Sequence, residues 1–156
     1  MQKIYHKIKK HPSALRILNN KHFQKYEKIV LVVIWAGFIY YLSSKPLAFL
    51  SGVSTLEFTL RKIAHMFVFG VLCYFIYRYL SRIEKRHMLW NIGWATIFSI
   101  LYAISDEYHQ TLVPGRVGTY QDVLIDSAGI LIVTWLLYLH YHHLIKLKKK
   151  AQEKAA

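Results

Sequence analysis

Acidic residues are scarce in this 156-residue chain: eight Asp and Glu stand against 21 Lys and Arg, for a formal net charge of +13. Cysteine occurs once, at Cys73 inside an apolar run. That excludes an intrachain disulfide and favours a small packing residue over a reactive thiol. No usable internal repeat is present. A cleavable secretory signal is not expected either: the first apolar run begins only at Ile29, behind a long basic segment, and no small-residue cleavage site follows it. The first run is therefore expected to remain as an anchor.

What the chain has in quantity is apolar sequence, 54% of residues, with 15% aromatic. It is gathered into four runs almost free of charge, Ile29–Ser44, Ile63–Tyr77, Met88–Ser105 and Val123–Ile145. Each approaches the ~20 apolar residues needed to cross a bilayer. The expectation is an all-α, polytopic membrane protein, a bundle of four transmembrane helices. Residues 1–28 form a basic N-terminal arm, 29–145 the helical domain and 146–156 a basic tail. The first two runs are short, since 16 residues at 1.5 Å each span only ~24 Å. Lys28, Lys45 and Arg78 must then snorkel to the interfaces.

Excess positive charge can mark a nucleic-acid binder, but its distribution here follows membrane topology. Eight Lys and Arg lie in residues 1–28, four in the connection holding Arg78, Arg82, Lys85 and Arg86, and five from Lys146 onward, 17 of the 21. The other connections carry only Lys45, Arg61, Lys62 and Arg116. By the positive-inside rule both termini and the middle loop lie in the cytoplasm, and the first and third connections face outward. The N-terminal arm, interrupted by Pro12, reads as topogenic or as resting on anionic lipid. His140, His142 and His143 near the C-terminus offer metal ligands or an interfacial aromatic and basic belt.

Polar groups then converge on the outer side. Ser54-Thr55-Leu56-Glu57 matches a capping box, so the second helix is expected to begin near Ser54. Glu57, Arg61 and His65 share a face at i, i+4 spacing, and Lys62 pairs with His65 at i, i+3. The third helix is expected to run from Met88 toward His109, with Asp106, His109 and Gln110 on one face and Glu107 about 100° away. Pro114-Gly115 makes a turn. Thr119-Tyr120-Gln121-Asp122 is a second capping-box pattern, which sets Asp122 at the start of the fourth helix and Asp126 one turn deeper.

Each of these residues has a plain reading beside a chemical one. Asp126 is beyond any cap, and an unpaired carboxylate at that depth costs ~2.5 kcal/mol or more. It needs a proton, a metal or a cation, or else a salt bridge to Arg61 or Lys62 that locks the second and fourth helices. Asp122 is explained by capping alone or by a site. Asp106 and Glu107 beside His109 suit general acid/base work, or are solvated interfacial charge. His65 is a bundle histidine, or a nucleophile or proton donor. Gln110 orients substrate or bridges helices. Arg116, between Gly115 and Gly118, presents a fork of donors to a phosphate, or sits at headgroup level as a surface residue.

Taken together, Arg61-Lys62-Ile63-Ala64-His65, Ser105-Asp106-Glu107-Tyr108-His109-Gln110, Pro114-Gly115-Arg116 and Asp122 to Asp126 with Gly129 resemble the VanZ-like family of small membrane proteins. The order D-E-x-H-Q, P-G-R, D-x-x-x-D carries the resemblance, which covers roughly Ile29 to Tyr141 and leaves the basic arms unmatched. The resemblance implies an association with low-level resistance to the glycopeptide teicoplanin. It also implies similarity to helical membrane proteins proposed to act on lipid headgroups or prenyl-phosphate carriers.

Three functions fit these residues. The first is a phosphoesterase or headgroup transferase acting on a lipid-linked phosphate at the outer face. There Arg116 and Lys62, with Arg61 and Gln110, hold the substrate, His65 or His109 acts as nucleophile or acid/base, and Asp106, Glu107, Asp122 and Asp126 orient the imidazoles or bind a divalent metal. The second is a non-enzymatic binder that shields a lipid-linked cell-wall precursor. The third is a proton-coupled lipid flippase with Asp126 as relay, against which four short helices with polar groups on one leaflet argue.

Overall fold

Long apolar stretches bounded by polar residues become helices here, because a backbone in hydrocarbon must satisfy its own hydrogen bonds. The computed structural model describes residues 21–45, 55–83 and 87–155, and in them four helices: α1 (Lys21–Ser43), α2 (Thr55–Ile83), α3 (Met88–Thr111) and α4 (Tyr120–Glu153). All four are long and apolar enough to cross a membrane. The protein is an all-α, polytopic bundle. Ser54, the side chains that would complete its capping box with Glu57, and most of the N-terminal arm lie outside the described residues.

The helices outrun the apolar segments. At 1.5 Å per residue the 23 residues of α1 and 29 of α2 reach about 34 and 43 Å. The shortness of the first two runs is thus a property of hydropathy and not of the helices. The 34-residue α4 extends straight through Lys146, Lys148, Lys149 and Lys150. The basic tail is therefore mostly a continuation of α4, favoured by its Lys and Ala content and by positive charge at a helix C-terminus.

Helix α4 packs chiefly against α2 and next against α3, while α1 lies on α2 and only edges α3. The buried interior is small: Ile39, Phe69, Leu72, Cys73, Ala95, Ala103 and Ile130. Large side chains such as Ile34, Phe67, Trp90, Ile132 and Trp135 are instead exposed, the arrangement of a protein whose solvent is lipid. Polar bonds between helices replace the hydrophobic drive that hydrocarbon cannot supply. Trp35 donates to the Val68 carbonyl (2.8 Å), Tyr102 to the Ala36 carbonyl (2.7 Å), and the hydroxyls of Thr96 and Thr134 meet at 2.7 Å.

Two close approaches set the geometry where α3 ends and α4 begins. A Cβ at Gly129 would stand 1.9 Å from the Met66 carbonyl oxygen, so α4 crosses α2 at a distance that only glycine allows. At Gly118 a Cβ would fall 2.1 Å from the Glu107 carbonyl oxygen, which presses the third connection back onto the end of α3.

Candidate functional site

The end of the bundle where α3 stops and α4 starts holds a cavity of about 590 Å³. Its walls come from the first turns of α2, the last turn of α3, the connection after it and the first two turns of α4. Arg61, Lys62 and His65 enter from α2, Glu107 and Gln110 from α3, Arg116 from the connection, and Asp122 and Asp126 from α4.

Local chemistry explains how α4 begins there. Thr119 caps it, its hydroxyl accepting from the Asp122 backbone N–H at 3.2 Å. In a capping box the third helical residue reaches back to the cap's own N–H. Here Glu107 takes that role, its Oε2 accepting from the Thr119 N–H at 3.0 Å. Asp122 instead accepts from the Thr119 hydroxyl at 3.1 Å through Oδ2 and pairs through Oδ1 with Lys62 across to α2. The cap and the site are thus built from the same residues, and the bond from Glu107 fixes α4 against α3.

Glu107 and Asp126 are 4% and 0% exposed, and they meet the cavity at its buried end. The Gln110 amide donates to Glu107 Oε1 at 2.7 Å and to Asp106 Oδ2 at 3.0 Å. Gln110 therefore orients carboxylates of its own helix and does not bridge helices. Asp126 pairs with neither Arg61 nor Lys62; His65 faces it, Nδ1 to Oδ1 at 3.5 Å, and both carboxylate oxygens lack a hydrogen bond. Arg116 has a buried Nε with no partner, and neither it nor Arg61 forms an ion pair among the described residues. Burial, and then the nearby Arg61, pull the Arg116 guanidinium below its ordinary pKa. Two like charges share a half-buried wall, an arrangement that a bound anion relieves.

The structure divides the D-E-x-H-Q segment between two neighbours. Asp106 and His109 do not line the cavity. They turn toward α1, where Asp106 accepts from the Ser43 hydroxyl at 2.8 Å, and His109 stacks on Tyr40 at 4.4 Å and meets the Ser44 hydroxyl at 3.0 Å. The expected pairing of a carboxylate with His109 is replaced by His65 facing Asp126. The face shared by Asp106, His109 and Gln110 was correctly spaced, but its α1 side is closed by packing. Sequence reasoning overlooked Gln121 and Ile125, which also line the cavity. Each directly precedes an aspartate of the Asp122 and Asp126 stripe, and that spacing was the available signal.

An apolar groove of about 580 Å³ adjoins the cavity between α2 and α4, starting at Ile63 on α2 and at Gly129, about one turn below Asp126, on α4. Ile63, Met66 and Gly70 face Gly129, Ile132 and Leu136 across it. A polar head site above a hydrocarbon-lined groove matches the two halves of an amphiphile.

Neither a curated protein nor a solved structure matches the chain. The family model described as VanZ/LLP1 matches residues 3–141, so the similarity also takes in most of the basic N-terminal arm that the motifs alone left unmatched. With its four membrane-crossing helices and the match along most of its length, the chain belongs to the VanZ/LLP1 family.

Proposed function

We propose that the cavity binds the phosphate of a membrane lipid or lipid-linked cell-wall precursor at the outer leaflet and acts on its headgroup bond. The observation that carries this reading is the pair of half-buried guanidiniums, Arg61 and Arg116, without carboxylate partners among the described residues, beside an apolar groove on α2 and α4. Guanidinium forks match phosphate geometry, and the groove takes the hydrocarbon chain. Lys62, held by Asp122, adds positive charge at the mouth. His65 is the candidate imidazole for the chemical step, as a free acid/base or as a metal ligand, because it lines the cavity and faces Asp126. Asp106 and His109 act as supports, holding α1 on α3 behind Gln110.

The outward orientation rests on the concentration of Lys and Arg in the arm, the middle connection and the tail. Protection against a glycopeptide follows if the altered or occupied lipid is the antibiotic's target.

The test is incubation of the purified protein in lipid nanodiscs with prenyl-phosphate and phospholipid candidates, with headgroup release or exchange followed by mass spectrometry. Turnover that is lost in Arg116→Ala and His65→Ala, at unchanged helical content, supports the reading. Lipid binding that needs Arg116 but survives His65→Ala and Asp126→Asn, with no product, replaces it by shielding without chemistry.

A further inference from the structure

We propose that His65, Glu107 and Asp126 bind one divalent cation of the Mn²⁺ or Zn²⁺ kind at the buried end of the cavity. The three side chains come from three different helices, yet each offers a ligand atom within 4.8 Å of the other two. At a metal–ligand bond of about 2.1 Å, tetrahedral donors on one ion stand about 3.4 Å apart; His65 Nδ1 and Asp126 Oδ1 are already 3.5 Å apart, so completing the set takes a closure of at most about 1.4 Å at Glu107. A side-chain torsion supplies that movement.

The second observation is Asp126 itself. It is fully buried, it lines the cavity, and neither carboxylate oxygen has a hydrogen-bond partner. His65 Nδ1 is near, at 3.5 Å, without making a hydrogen bond to it. A buried carboxylate in this condition is costly unless something positive meets it. Lys62 is engaged with Asp122, and Arg61 and Arg116 make no ion pair with it.

Glu107 is prepared in the way metal ligands are. Gln110 and the Thr119 N–H hold its two oxygens from behind, at 2.7 and 3.0 Å, and each oxygen keeps a second lone pair. One imidazole with two carboxylates suits Mn²⁺ or Zn²⁺ better than Mg²⁺ or Ca²⁺, which prefer oxygen throughout. Three protein donors leave coordination positions open toward the cavity. A phosphate oxygen of the lipid fills one of them, a point that rests on the proposed function, whereas cation binding does not.

The experiment uses the full chain in detergent, stripped with a chelator and then equilibrated with Mn²⁺ or Zn²⁺ alone. Bound metal is measured by mass spectrometry of the desalted protein, and Mn²⁺ also by electron paramagnetic resonance. The expected result is a single equivalent per chain that raises Tm. His65→Gln and Asp126→Asn, checked for wild-type helical content, weaken binding by on the order of 100-fold and lose the rise in Tm. A variant with His140, His142 and His143 all changed to Ala keeps the site. Substoichiometric metal in the wild type, equal binding in His65→Gln and Asp126→Asn, or loss only in the tail variant overturns the proposal. Metal bound without any headgroup chemistry leaves this site standing and removes only the enzymatic reading.

Discussion

Two buried aspartates differ in what holds them. Asp106, 4% exposed, accepts from Ser43 and Gln110, so Asp106→Ala strands two buried donors and should cost about 2 kcal/mol. Asp126, 0% exposed, has no hydrogen bond to lose. Asp126→Asn is expected to leave the Tm of metal-free protein unchanged or raised while ending function, the pattern of a residue kept for activity at the expense of stability. Thermal melting of both variants in one detergent checks the pair. His109, stacked on Tyr40 away from the cavity, should tolerate Ala with a small loss of turnover where His65→Ala abolishes it. Headgroup release measured side by side decides this, and an inactive, well-folded His109→Ala protein would return the acid/base role to the third helix.

The crossing of α2 and α4 governs whether the cavity exists. Gly129→Val places a branched side chain where even a Cβ lies 1.9 Å from the Met66 carbonyl. Overpacking of that kind costs about 1–3 kcal/mol where neighbours can yield, and the partner here is backbone. Membrane abundance and Tm should both fall, while Gly37→Ala, with nothing within 4 Å of the added Cβ, should preserve both. The Thr119 cap is a smaller lever. Thr119→Ala removes the acceptor for the Asp122 N–H, worth ~1 kcal/mol, and keeps the backbone donor to Glu107.

Across the whole molecule the charge asymmetry predicts how the chain lies in the bilayer. Cys73 is buried, so it should resist thiol reagents, and a Cys73→Ser background is suitable for labelling. In that background Val117→Cys, on an exposed residue of the third connection, should react with a membrane-impermeant maleimide from outside. Gln152→Cys, near the end of α4, should react only after permeabilisation. Reaction of Gln152→Cys in intact cells would reverse the orientation and move the cavity to the inner leaflet.

Hydropathy alone determined that this protein is a bundle of four membrane helices, because lipid leaves a backbone few options and each apolar run reports its own span. The spacing of polar residues likewise brought Arg61, Lys62, His65, Glu107, Arg116, Asp122 and Asp126 to one end, since helical periodicity is a local property. What a local property could not decide is which neighbour each face meets. Only packing sent Asp106 and His109 to α1 and Glu107 to the cavity, split the Thr119 capping box between two helices, and paired Lys62 with Asp122 so that Asp126 faces His65. Those outcomes depend on contacts between helices far apart in sequence. The glycine at 129 that lets two of them touch is visible in the chain, but its purpose appears only when Met66 is beside it.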